Sequence, residues 1–282
     1  MKKLLVGILS VTVLTGCQTT QTKVVDDTRI VHVVKKVEQN GPDNAYMRIY
    51  KDSTANQPYT LTVSDDVART GNTSQRFEVR HGDCGIEYDC HNDRRRVELS
   101  EGRKQGKYHA YIGDQRWYAY SFYLLEDFVD LKPTNTHLGQ MMHGGKPIWA
   151  LNLLNDYAEV EYVPGPVDIT RYCVGVPISE LRGRWTDVLV YADYSYNNDN
   201  NKDMFQYYIN GKMVCSSKKP FMHPKRTQEK KEKHLQFKYG IYNSYISRYH
   251  NEGHGDILPT QVVYYDNVRI AKDRESIDLN TK

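Results

Sequence analysis

Five stretches of this chain read as strands, and little else competes with that reading. "WYAYSFYLL" (117–125), "WTDVLVYADYSY" (185–196), "MFQYYINGKMVC" (204–215), "LQFKYGIYNSYI" (235–246) and "TQVVYYDNVRIA" (260–271) crowd aromatic and β-branched residues into short runs. Such side chains are stiff near the backbone and fit a pleated, half-buried surface. Clusters such as "VPGPVD" and "NNDNNKD" punctuate them, with residues that favour turns for separate steric reasons. Asn210-Gly211, between "QYYI" and "KMVC", is the strongest hairpin signal, because a type I′ turn needs positive φ at both central residues. Only "PISELRG" (177–183) reads as a short helix. No internal repeat and no sustained helical period is present. The expected fold is all-β, a sandwich of two antiparallel sheets, jelly-roll type.

The N-terminus lies outside that fold. Met1-Lys2-Lys3 is a short basic region, and the apolar run "LLVGILSVTVLTG" suits a secretory signal better than a membrane span. It ends in "LTGC", small residues before Cys17, the pattern of bacterial lipoprotein cleavage. Residues 1–16 are therefore expected to be a signal peptide and Cys17 to carry lipid. Dual acylation then gives an anchor that one chain would not. Gln18 favours sorting to the outer membrane. The polar stretch 17–40 is expected to be a tether, and residues 41–275 one domain.

The four remaining cysteines, Cys84, Cys90, Cys173 and Cys215, are an even number in an exported chain, which argues for disulfides. Cys84 and Cys90 enclose a short loop containing Gly85, which leaves Cys173 for Cys215. No CxxC pair has zinc-ligand spacing. The net charge of +3 is small, and the lysine-rich run 218–238 is read first as a solvated loop. An exported basic protein meets extracellular polyanions rather than nucleic acid, and a monomer is expected.

Alternation places side chains on faces. In "RRRVELS", Val97 and Leu99 form a core pair with Arg95 on their side, so Arg96 and Glu98 point away, roughly 7 Å apart along the strand. In "FKYGIYN", Phe237, Tyr239 and Ile241 face the core, while Lys238, Gly240 and Tyr242 face oppositely. Gly240 is expected to leave room for a ligand near the sheet.

These residues resemble a family. "VRHGDCGIEYDCHNDRRRVELSEG" resembles the Arg-x-Glu-Leu element of heparin-lyase-I-like and glucuronan-lyase-like polysaccharide lyases, which is shared in shorter form by jelly-roll alginate lyases. "KYGIYNS" is similar to their Lys-x-Gly-x-Tyr strand, and "GRWTDVLVYADYS…FQYYINGKMV" to their Gly-x-Trp strand and hairpin. "VVYYDNVRIA" is similar to their closing strand, and "LGQMMHGGKPIW" to their Gln-His segment. Together they span about residues 75–271 in the family's order.

The resemblance implies a concanavalin A-like β-jelly roll and β-elimination on an anionic polysaccharide (glucuronan, alginate or heparin-like) bound on a concave sheet. It implies Arg96 and Gln140 as neutralisers of the uronate carboxylate, Tyr242 as the acid and in syn geometry also the base, and His143 as a base or carboxylate clamp. Lys238 would help to shift the tyrosine, and Glu98 would orient Arg96. A tyrosine with a reference pKa near 10 needs cationic neighbours to act as phenolate. One departure stands out. Gln140-Met141-Met142-His143 places two residues between Gln and His where the family has one, and strict alternation sends the pair to opposite faces. A bulge, an early strand end, or His137 facing the cleft instead would each resolve it.

Trp149 and Tyr245 are candidates to stack on sugar rings, against packing as the simpler reading. No cofactor is required. Asp266-Asn267 is a low-ranked candidate for structural calcium, against a turn-forming Asp-Asn. The competing function is a non-catalytic, lectin-like carbohydrate-binding module. A glycoside hydrolase needs two opposed carboxylates, and only Glu159 and Glu161 of "AEVEY" share a face.

Overall fold

The computed structural model describes residues 48–49, 57–85, 87–100, 109–165, 169–173, 175–223 and 234–277. The signal peptide, Cys17, the tether and the middle of the lysine-rich run lie outside the described residues. The strands are β1 (Arg48–Ile49), β2 (Leu61–Ser64), β3 (Ser74–Val79), β4 (Arg94–Ser100), β5 (Ala110–Tyr111), β6 (Gln115–Leu124), β7 (Asn135–His143) and β8 (Lys146–Leu154). They continue with β9 (Tyr157–Tyr162), β10 (Arg171–Tyr172), β11 (Val176–Pro177), β12 (Trp185–Asp193), β13 (Phe205–Ile209), β14 (Lys212–Ser217), β15 (His234–Ser244) and β16 (Gln261–Ala271). Two short helices, α1 (Glu87–His91) and α2 (Ser247–Asn251), interrupt them. "PISELRG" forms one 3-10 turn, Ile178–Glu180. No helix among the described residues is long and apolar enough to cross a membrane.

Two antiparallel sheets result. One runs β1-β4-β15-β7-β8-β9-β10, and the other β14-β13-β12-β6-β16-β3-β2. Strands far apart in sequence are neighbours in both, so the sandwich is a jelly roll rather than a set of hairpins. The expected hairpin joins β13 to β14, with Asn210 at φ 49° and Gly211 at φ 77°.

Alternation fills the space between the sheets as expected. Val97, Leu99, Phe237 and Ile241 from the first sheet meet Tyr118, Tyr120, Phe122, Val190 and Tyr265 from the second, all essentially inaccessible. The buried tyrosines need partners for their hydroxyls. Tyr120 on β6 and Tyr207 on β13, two strands apart in the second sheet, bring their hydroxyls to 2.8 Å. Trp149 donates Nε1–H to Tyr194 at 3.2 Å, fully buried. It is a core residue and cannot stack on a sugar.

Both expected disulfides are present. Cys173–Cys215 joins the segment after β10 to β14 and so ties an edge of one sheet to an edge of the other. Cys84–Cys90 closes the loop that carries α1 against the start of β4.

Candidate active site

The outer face of the first sheet presents a row of planar groups on three adjacent strands, β4, β15 and β7. Tyr242 on β15 pairs in register with Arg96 on β4 and with His137 on β7. The Arg96 guanidinium carbon lies 4.4 Å from the Tyr242 ring centre. On the other side the His137 ring stacks at 5.6 Å with an interplanar angle of 28°. Each outer member is held by a carboxylate. Asp89 takes Nε and Nη2 of Arg96, each at 2.6 Å. Glu161 on β9 brings Oε1 to 2.9 Å from His137 Nε2.

The Arg96 flank comes from local sequence. Asp89 is fully buried in α1, inside the Cys84–Cys90 loop. A Cβ on Gly85 would collide with the Asp89 carboxylate and the stem of Arg96, so the loop needs glycine there. Glu98 lies 3.3 Å from Arg96 Nη1 and accepts from Gln140 Nε2 at 2.6 Å. Burial works against the guanidinium charge, but Glu98 and Asp89 outweigh it and raise the Arg96 pKa above its ordinary value. Arg96 is thus a fixed cation with its side-on fork occupied. Glu98, expected to orient Arg96, is 3% exposed and holds both Arg96 and Gln140.

The His137 flank depends on bulges. Between Tyr239 and Tyr242, β15 has two residues where β7 has only Leu138, and Leu138 has no partner on β8. Leu138 and Gly139 therefore both turn to the core, where a Cβ on Gly139 would collide with Tyr120. His137 and Gln140 both turn to the cleft, although three positions apart. The bulge takes two carbonyls out of the regular ladder, and the Tyr265 hydroxyl from the opposite sheet lies between them, 2.7 Å from Leu138 O and 2.8 Å from Gly240 O. Gly240 sits at φ 133°, and a Cβ there would strike Val97 O on β4. Its lack of a side chain serves close backbone approach rather than ligand access.

A second register shift against β8 falls between Met141 and Met142, and His143 is the last residue of β7. His143, expected to line the cleft, is fully buried, and His137, the alternative left open by the sequence, is the histidine beside Tyr242. Lys238 lies on the cleft face between Ser100 and Gln140, only 3% exposed. Tyr245 lies just past β15 at φ 63°, half exposed, with Arg248 4.2 Å from its ring centre. The carboxylate of Asp266 accepts backbone N–H groups of Arg69, Thr70 and Asn267 at 2.7–2.9 Å. Asp266 thus anchors the 69–70 loop, and the pair lies not in a turn but inside β16, at a register shift against β6 with Asn267 at φ 53°. No group of three or more acidic, His or Cys side chains that could hold a metal ion occurs among the described residues.

Tyr242 departs most from expectation. Burial pushes its hydroxyl up to about 12, and the nearby Arg96 and Arg94 only partly offset this. The cations do not make it a phenolate near neutral pH, so it is a phenol with a proton to give. Asp89 and Glu161 had no assigned role. Asp89 sits in the stapled loop seven residues before Arg96, and Glu161 is on the cleft-facing period of β9. Both signals are visible in the sequence, but neither says which partner the carboxylate meets.

The fold recurs in known proteins. The family model for polysaccharide lyases matches residues 21–269, and the model for the prokaryotic membrane lipoprotein lipid attachment site matches residues 1–18, which include Cys17. No curated protein matches the chain. Endo-β-1,4-glucuronan lyase from the fungus Trichoderma reesei superposes with a TM-score of 0.57 at 17% identity, over 86% of this chain and 98% of that one. Alginate lyase AlgAT5 of polysaccharide lyase family 7 superposes with a TM-score of 0.53 at 14% identity, over 82% and 95%. Alginate lyase PA1167 from Pseudomonas aeruginosa gives 0.50 at 13%, over 82% and 100%. At such identities the likeness is one of fold.

Proposed function

The chain belongs to the polysaccharide lyase family, and from that premise we propose that it cleaves an anionic, uronic-acid-containing polysaccharide by β-elimination. The observation that carries the reading is the Arg96–Tyr242–His137 row on the outer face of the first sheet. A proton donor there stands between a fixed cation and an imidazole.

The steps follow from the groups. A base removes the C5 proton, α to the uronate carboxylate, and His137 is the imidazole that stands beside the acid. The C5–H electron pair becomes the C4–C5 double bond, and the C4–O4 bond breaks. Tyr242 O–H protonates the departing O4, in keeping with its raised pKa. Negative charge grows on the carboxylate in the transition state. The positive charge of Arg96 and Lys238 and the second amide N–H of Gln140 are the groups placed to offset it. Each is already fixed by neighbours or by burial, so little reorganisation is needed as the charge develops. No cofactor takes part in these steps.

The lipoprotein match supports association with a membrane through Cys17. Gln18 leads us to place the anchor in the outer membrane, with the enzyme meeting polymer outside the cytoplasm.

The test is a panel of glucuronan, alginate, heparin and pectate, followed by the ultraviolet absorbance of the conjugated uronyl end. Growth of that absorbance on at least one polymer is expected. Binding without product on every member would overturn the reaction and favour the lectin-like alternative.

A further inference from the structure

We infer that Glu161 is a positioning residue for His137, fixing the imidazole with its proton on Nε2 and leaving Nδ1 as the basic nitrogen. The inference rests on the reaction proposed above and adds a member to it.

The geometry is specific. Glu161 is on β9 and His137 on β7, with β8 between them. Strands two apart are separated by roughly 9.5 Å, so the two side chains must reach over β8. The residue of β8 in register with Glu161 is Ala150, which in turn pairs with Gln140. Ala150 has nothing beyond Cβ, so the carboxylate can cross it. Oε1 ends 2.9 Å from Nε2, off the line of a straight hydrogen bond, with Glu161 8% and His137 5% exposed. A small rotation of either group aligns them.

The two ring nitrogens differ in what stands near them. Both are buried without a well-aligned hydrogen bond among the described residues, but Nε2 has the Glu161 carboxylate at 2.9 Å. Buried polar atoms are nearly always satisfied, and an exception calls for an explanation. A nitrogen kept unpartnered until substrate arrives is one. A carboxylate on one ring nitrogen selects the tautomer and leaves the lone pair on the other. The ring is also held from the side by Tyr242, so the lone pair has a fixed direction.

A carboxylate in the cleft of an enzyme for polyanions is otherwise a handicap. Glu159 sits on the same face, its pKa raised by burial and by nearby Glu161. Two carboxylates there repel a polyuronate. Pairing one of them with the base gives that charge a use.

The experiment uses the full chain and two readouts. The first needs no substrate: ¹⁵N shifts of the His137 imidazole report which nitrogen carries the proton. The Nε2–H form is expected in the wild type, and a mixture of tautomers in Glu161→Leu, which keeps volume but removes the acceptor. The second is turnover on whichever polyuronate the wild type cleaves. Glu161→Leu is expected to lower kcat by about 30-fold, within the 10- to 100-fold range usual for such supporting partners, with KM within about threefold. Glu161→Asp, which retains the carboxylate, should recover part of the loss. An Nδ1–H tautomer in the wild type, or an effect of Glu161→Leu on KM alone, overturns the inference. So does a kcat loss with the tautomer unchanged. If Glu161→Leu fails to fold, the wild-type tautomer and Glu161→Asp still decide the matter. If the wild type cleaves no polyuronate, the proposed reaction falls while the tautomer readout still reports on the pairing.

Discussion

The two flanks of Tyr242 are built in opposite ways. On one side Arg96 is closed in by Asp89 and Glu98, its charge compensated and its side-on fork filled. On the other side His137 has one carboxylate on Nε2 and an unpartnered Nδ1. The Arg96 flank is made from residues 84–98, within one stapled loop and the strand it feeds. The His137 flank draws on β7, β9, β15 and a hydroxyl from the opposite sheet. The difference suggests a division of labour. The closed flank holds a guanidinium in a fixed place against the tyrosine, and the open flank supplies the group that changes protonation. A buried ion pair is expensive to break, because removing one partner leaves an uncompensated charge. The closed flank should therefore show its mutations in stability as well as in rate, and the open flank mainly in rate.

The strongest way to break this comparison is to remove the shared member. Tyr242→Phe should lower kcat by about 10³-fold or more, towards the upper end of what a positioned acid contributes, while binding is retained. A rate within a few-fold of wild type would show that the acid lies elsewhere. The wild-type pH profile adds to this. A group that acts as an acid with a pKa of about 12 stays protonated through moderately alkaline pH, so kcat should hold level from about pH 8 to 10. A Tyr242 that had to be phenolate would make kcat rise there instead, as a tyrosine with an ordinary pKa near 10 titrates.

His137→Gln should lower kcat by about 10²-fold with little change in the unfolding midpoint. His143→Gln should show the reverse, a loss of stability from disturbing a fully buried residue. If His143→Gln gave the larger rate loss at unchanged stability, the two histidines would have to exchange roles.

Arg96→Lys should reduce kcat by about tenfold or more and lower stability by about 1–3 kcal/mol, since Lys cannot reproduce the planar fork on Asp89. A rate loss with no change in urea denaturation would show that the closed flank is less structural than its geometry suggests.

The smallest effect is expected at Tyr265→Phe. Two buried carbonyls lose their hydroxyl, at a cost of about 1–3 kcal/mol. The bulge that turns His137 to the cleft should loosen, lowering kcat by a few-fold. An unchanged rate would mean that the bulge is held by the ladder and by glycine alone.

Much of the fold was legible in the sequence. The strands of β6, β12, β13, β15 and β16, the Asn210-Gly211 hairpin and both disulfides follow from composition, turn chemistry and cysteine pairing. The faces of β4 and β15 follow from a period of two, because Val97, Leu99, Phe237 and Ile241 must be buried together. That much is local: each rule concerns a residue and its near neighbours, and burial enforces the pattern. Trp149 was less clear, since a large aromatic suits a sugar platform or a core and only packing decides.

Tertiary structure decided the rest. Strict alternation through "THLGQMMH" cannot put His137 and Gln140 on one face. The bulge that does so depends on Gly240 at positive φ and on Tyr265 between two freed carbonyls, contacts 25 and 127 residues apart in sequence. The Tyr242 pKa also could not be read from its cationic neighbours, because burial is the larger influence and depends on every strand around it. The sequence determined that an arginine and a tyrosine share a face, because the side-chain period of a strand is intrinsic to the backbone. Which histidine stands beside them, and which carboxylate holds each flank, came only from the way distant strands meet.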